Sequence, residues 1–184
     1  MAETVCKPAR QLKAGVRVEF VIGVGSNLGT PSENLARGLT LLAGQPELAI
    51  GALSYVYETE PLGPPQPRYL NAAVRLQSQL DAHTLLDRVL SIERAQGRVR
   101  DVRWGPRTLD LDLLWAEQSV SSARLRVPHP HLHERTFALA PLLDVAPELA
   151  AVYGPPLAAL GGAPARWGHL SLRAGTVVCE RDGV

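Results

Sequence analysis

The sequence predicts an α/β (α+β) fold, a ferredoxin-like β-α-β-β-α-β antiparallel sheet with helices packed on it. Three observations lead there. Leu35, Leu39 and Leu42, and again Leu85, Val89 and Ile92, recur at spacings of three and four, the stripe of a helix facing a core. Around them lie four short β-rich runs, 20–24, 48–58, 69–77 and 108–115, in the order that interleaves with the two helices. The chain is also the right size: 184 residues with 46% hydrophobic and 20% charged side chains suit one soluble globular domain.

Taken in order, residues 1–18 are polar and aperiodic and read as a flexible tail ahead of a domain at 19–165. The first strand, Phe20-Val-Ile-Gly-Val24, ends in Gly25-Ser-Asn-Leu-Gly29, a tight strand-to-helix turn. No GK[ST] follows it, so it is not a phosphate loop. Thr30-Pro31-Ser32-Glu33 has the spacing of a capping box with Pro at the first helical position, and Gly44 is the expected stop. In 48–58, Leu53, Tyr55 and Tyr57 alternate with Ser54, Val56 and Glu58 as in a single strand. The four prolines of 60–67 make a stiff loop. In 69–77, Leu70, Ala72, Val74 and Leu76 share the core face, with Tyr69, Asn71, Ala73, Arg75 and Gln77 on the other. Asp81 can cap the second helix, which should stop at Gly97. An arginine-rich loop, 98–107, leads to the fourth strand at 108–115, and a further helix is expected around 135–139. Residues from 150 onward are rich in Ala, Gly and Pro, with 166–184 left as a C-terminal extension of unassigned role.

Composition narrows function. Nineteen Lys plus Arg against 18 Asp plus Glu give a net charge of +1, so no global field draws the chain to nucleic acid or membrane. The same figures exclude intrinsic disorder, coiled coil and collagen. No apolar run approaches the ~20 residues of a membrane helix. The first residues carry no apolar h-region, and only Cys6 and Cys179 are available for a disulfide, which together point to the cytoplasm.

The sharpest chemical signal is Thr108-Leu-Asp-Leu-Asp-Leu-Leu-Trp115. Strand alternation sends Leu109, Leu111, Leu113 and Trp115 one way and Asp110 and Asp112 the other, the two acids roughly 6.5–7 Å apart. Like charges on one strand face repel. A divalent cation relieves that, and Mg²⁺ favours one or two carboxylates plus phosphate oxygens; a solvated strand edge is the plainer reading. Just before it, Arg94, Arg98, Arg100, Arg103 and Arg107 surround Trp104. Guanidinium forks match phosphate oxygens, although a solvated basic loop would also look like this. Glu93 is either a surface acid or a partner for these arginines. His129, His131 and His133 have a metal-like spacing that Pro130 disturbs, so a single histidine touching a phosphate or base competes with zinc. Tyr69 and Asn71 offer an aromatic plate and an amide to a heterocycle.

Together GSNLG, YLNAAV at 69–74, QGRVR at 96–100, RWGPRTLDLDLL at 103–114, VPHP at 127–130 and ERTF at 134–137 make the chain resemble the 6-hydroxymethyl-7,8-dihydropterin pyrophosphokinase family of folate biosynthesis, over about residues 20–150. The resemblance implies transfer of diphosphate from ATP to the pterin hydroxymethyl group with release of AMP. It implies that Asp110 and Asp112 hold two Mg²⁺ ions and act in catalysis with Arg98 and Arg107. Glu93, Arg100, Trp104, Leu113, Arg124, His129 and Arg135 match positions around ATP. Thr59, Leu62 and Asn71 match positions that pair with the pterin edges, and Tyr69 and Phe137 those that sandwich its ring. ATP and the pterin are thus the expected partners. The chain departs from the family pattern at Asp101, often Lys, and at Pro130, where an aromatic can follow the histidine. Two rival readings are a metal-dependent phosphohydrolase using the Asp pair and HPHLH, and an RNA-binding ferredoxin-like module.

Overall fold

The computed structural model describes residues 17–97 and 105–183. Along them run β1 (Val18–Ser26), α1 (Pro31–Ala43), β2 (Leu48–Leu53), β3 (Tyr55–Thr59), β4 (Tyr69–Ser78), α2 (Ala82–Ala95) and β5 (Asp110–Ala116). Then come a small hairpin, β6 (Val120–Ser121) and β7 (Arg126–Val127), followed by α3 (Thr136–Val145), α4 (Ala150–Ala159), β8 (Ala165–Arg173) and β9 (Thr176–Arg181). The fold is α/β, with one seven-stranded sheet in the order β5-β1-β4-β3-β8-β9 and β2 pairing β4 beside β3. Its pairings are antiparallel.

One sheet face is built as alternation requires. Phe20, Ile22 and Val24 of β1 and Leu70, Ala72, Val74 and Leu76 of β4 meet the stripes of α1 and α2 in a single core. Each fully buried Leu or Ile there is worth about 1.5–3 kcal/mol. Asp81 caps α2 by accepting from the N–H groups of His83 and Thr84 at 2.9 and 3.0 Å. Thr30 does not close the expected capping box: its side chain makes no cap bond, although Pro31 does open α1. The turn is tied instead by buried Asn34, whose Nδ2 donates to Ser26 Oγ at 3.2 Å and Leu28 O at 2.8 Å.

Two strands depart from simple alternation. The segment expected as one strand at 48–58 is two. A register shift at Gly51 and a break at Ser54 reset its phase, so Leu53 and Val56 both face the main core while Tyr55 is exposed. Ser54 replaces a ladder bond: its Oγ accepts from Ala73 N at 2.8 Å. Leu109, just before β5, and Leu111 and Leu113 within it point into the core, but Trp115 does not join them. Val21 pairs with Trp115 and Ile22 with Leu113, leaving Leu114 as an extra residue. Beyond that bulge the faces exchange, so Trp115 packs on the opposite side and Ala116 enters the core.

The second sheet face is covered as well. Val21, Ala73 and Leu114 are buried there against Leu132, Leu139, Leu142 and Tyr153, from the turn before α3 and from α3 and α4. Ala73 is therefore a core residue, not an exposed one. The C-terminal segment without an expected role forms the β8–β9 hairpin, which extends the sheet from β3 and sends Leu170 and Val177 into the main core.

Candidate functional site

The site lies where β1, β4 and β5 run in register. Asp110 pairs with Gly25, Gly25 with Asn71, and Asn71 with Tyr57, while Asp112 pairs with Gly23. Residues opposite one another on neighbouring antiparallel strands share a face. Asp110 and Asn71 therefore look out from the same side of the sheet, two strands or roughly 10 Å apart. The residue between them is glycine. A Cβ at Gly25 would stand 2.9 Å from Asn71 Oδ1 and 4.0 Å from Asp110 Cβ, so the missing side chain is the floor of a cleft.

That cleft is lined by Gly23, Val24 and Gly25 on the floor, by Thr59, Leu62, Tyr69 and Asn71 on one side, and by Arg107, Asp110 and Asp112 on the other. Arg135, Phe137 and Ala138 close it from α3 and its approach. Asn71 is 8% exposed, and its Nδ2 donates to Thr59 Oγ1 at 2.7 Å, which fixes the plane of the amide. Tyr69 donates its hydroxyl to Gly105 O at 3.3 Å. Leu62 stands at the rim, 55% exposed. The Arg135 guanidinium lies 5.7 Å from the centre of the Phe137 ring. Arg107 pairs with Asp110, and this attraction outweighs the burial that works against its charge.

A second cleft opens beside β5. Leu86 and Leu90 of α2 with Leu111 and Leu113 of β5 form an apolar wall, facing Arg124, Arg126, His129 and Pro130. Asp112 lines both clefts. Burial pushes the His129 ring down to about 4, with the Arg135 and His131 charges adding to it, so the imidazole is neutral near pH 7. Its Nδ1 accepts from the backbone N–H of His131 at 3.2 Å, which leaves the proton on Nε2. Arg124 is exposed and paired with Asp87 of α2.

Of the other residues singled out in the sequence, Glu93 is not on the surface. It is 1% exposed, and its carboxylate accepts from Leu111 N at 2.7 Å, gripping β5 between the two acids. The three histidines diverge: His129 lines the second cleft, His131 meets Glu134, and His133 packs on Tyr153 with ring centres 5.1 Å apart. Among the described residues no three His, Cys, Asp or Glu side chains form a metal group, so HPHLH does not assemble a zinc site there. Arg98, Arg100, Arg103 and Trp104, along with Asp101 and Cys6, lie outside the described residues. One polar residue of the site region was read in the sequence only as part of a turn: Asn27, 2% exposed, whose amide bonds to three other residues.

The donor set suits a hard cation. Two carboxylates on one strand face, opening into a cleft, match Mg²⁺, which completes its shell with water and phosphate oxygens. Among the described residues no helix is long and apolar enough to cross a membrane.

Comparison with known proteins identifies the family. Residues 21–147 match the model of the 7,8-dihydro-6-hydroxymethylpterin-pyrophosphokinase family. A 2-amino-4-hydroxy-6-hydroxymethyldihydropteridine pyrophosphokinase from Pseudomonas aeruginosa is 48% identical over 130 residues, covering 70% of this chain and 80% of the relative. Proteins of the same name from Haemophilus influenzae and Bacillus subtilis are 42% and 40% identical, covering 70% and 67% of this chain and 81% and 75% of their own lengths. The chain belongs to the 7,8-dihydro-6-hydroxymethylpterin-pyrophosphokinase family.

Proposed function

We propose that this chain transfers the terminal diphosphate of ATP to the hydroxymethyl group of 6-hydroxymethyl-7,8-dihydropterin, releasing AMP, as a step of tetrahydrofolate biosynthesis in the cytoplasm. The observation that carries the reading is the position of Asp112 on the wall common to two clefts, one bearing the Asn71 amide, the other walled by leucines and cationic at its rim. A phosphate chain reaching from the second cleft toward the first passes this acid and its neighbour Asp110.

In the first cleft the pterin lies between Tyr69 and Phe137. Its amide edge pairs with Asn71, which Thr59 holds in orientation, and with the backbone near Thr59 and Leu62. The nucleotide occupies the second cleft against Leu113, with Arg124 at the rim and the His129 Nε2–H as an uncharged donor. Arg98, Arg100, Arg107, Arg135 and Trp104 belong to the phosphate side of this reading. Asp110 and Asp112 would hold the two Mg²⁺ ions of this reading, which would supply positive charge against the phosphates. Glu93 contributes by holding the Leu111 N–H, and with it the spacing of the two acids.

The reaction then needs alignment more than a base. The hydroxymethyl oxygen attacks the β-phosphorus, and the bond from that phosphorus to the α,β-bridging oxygen breaks. AMP departs with the bridging oxygen, and the alcohol proton leaves to solvent. Arg107 and Arg135 stabilise the negative charge that spreads over the transferring group, while the buried Asn71 amide keeps the alcohol in line. The ferredoxin-like reading of the sheet is supported by the same topology. With β2 and β3 counted as one strand, the four strands expected from sequence lie in the order fourth, first, third, second.

The test is direct. The protein incubated with ATP, Mg²⁺ and the hydroxymethyl pterin should produce AMP and pterin diphosphate in equal amounts. Pterin-independent release of inorganic phosphate instead would establish the phosphohydrolase reading.

A further inference from the structure

Asn27 sits in the turn between β1 and α1, within the GSNLG sequence, yet its bonds do not serve that turn. Its Oδ1 accepts from Arg107 N at 2.7 Å. Its Nδ2 donates to Gln66 Oε1 and to Pro67 O, each at 3.0 Å. Arg107 is gripped from the other side too, because the backbone N–H groups of Asn27 and Leu28 donate to Arg107 O at 3.0 and 3.3 Å. A primary amide has two donor hydrogens and one acceptor oxygen, and here each is used. An Asp lacks the donors, and a Ser is too short and has a single hydrogen.

What the amide joins matters more than how many bonds it makes. Pro67 lies two residues before Tyr69, a wall of the first cleft, and Arg107 lines the opposite wall with its guanidinium on Asp110. Tyr69 in turn bonds to Gly105, two residues before Arg107. The chain segments at 66–69 and 105–107 are thus closed into one ring through Asn27.

We infer that Asn27 is a positioning residue for diphosphate transfer: it sets the cation of Arg107 and the aromatic wall of Tyr69 in fixed relation across the cleft. This rests on the proposed function for the identity of the reaction, and on the hydrogen bonds for the connection. Asn27 lines neither of the two clefts. It acts through Arg107, so removing it should misplace a group that stabilises developing charge.

The experiment is a double-mutant cycle on the full chain, with kcat and pterin KM measured for wild type, Asn27→Ala, Arg107→Ala and the double variant. Asn27→Ala should lower kcat by at least ~10-fold, and the double variant should fall within about twofold of Arg107→Ala alone. Should Asn27→Ala be insoluble, Asn27→Ser enters the same cycle with the same expectation. Losses that multiply in the double variant, or an unchanged kcat in the Asn27 variant, overturn the inference, because Asn27 would then act independently of Arg107 or not at all. AMP formation by the wild type tests the function separately, so either conclusion can fail without the other.

Discussion

Ala in place of Asp110 or Asp112 removes one element of charge organisation around the transferring group, and turnover should fall by at least ~10³-fold. Folding should survive, because the same strand holds itself in the core through Leu111 and Leu113 on its other face. A thermal melt near that of wild type beside a collapsed kcat is the expected pair of results. Asn71→Ala should weaken pterin binding by about 1–3 kcal/mol, since a buried heterocycle edge loses its partner; calorimetry with pterin alone measures this. His129 predicts a pH effect on the ligand-free protein. Its ring titrates at about 4 when folded and near ~6.5 when unfolded, so between those values the unfolded chain holds the extra proton. Stability should be complete on this account above that window and fall as pH drops through it. Urea midpoints at pH 5 and pH 7 should therefore differ more for wild type than for His129→Gln. The acids and Asn71 are legible in sequence because strand alternation alone puts them on the outward face. The bonds of Asn27 and Glu93 are not, since nothing local says that a turn amide reaches residues 40 and 80 positions away, or that a helical acid turns inward to a strand N–H.

At the scale of elements, the two helices over the main core follow from their leucine stripes, and the Asp81 cap from its own side chain. The strands are harder to read, because an extra residue at a bulge reverses every later face. Leu114 does this to Trp115, and the break at Ser54 does it to Val56, neither with a mark in the hydrophobic pattern. The C-terminal hairpin escapes for a different reason. It is stabilised by distant partners: β8 lies on β3, and Val177 N donates to Thr40 Oγ1 of α1 at 2.9 Å. The hairpin supports β3, whose last residue, Thr59, orients Asn71. Leu170→Ala, which hollows the core beneath this hairpin, should cost about 2–5 kcal/mol in chemical denaturation. A loss below ~0.5 kcal/mol would mean that the hairpin is not part of the cooperative fold.

On the scale of the whole molecule, both sheet faces are covered, and the faces divide the labour. The side under α1 and α2 holds the larger core, while the side under α3 and α4 is only partly filled and leaves the cleft over Gly23 and Gly25. Sequence shows the first side, because in β1 and β4 its apolar alternation is unbroken. The second depends on single small residues such as Ala73 meeting α3. The two clefts share Asp112, and the wall carrying Arg107 is bonded to the wall carrying Tyr69, so a ligand that orders one cleft is expected to affect the other. In the proposed reading the nucleotide phosphates draw on Asp110, Asp112 and Arg107, which also line the first cleft. A non-transferable ATP analogue with Mg²⁺ should therefore raise pterin affinity at least ~10-fold, and by linkage the pterin must raise analogue affinity by the same factor. Calorimetric titration in both orders closes the thermodynamic cycle. Equal pterin affinity with and without the analogue would show the two clefts to be independent despite their common wall.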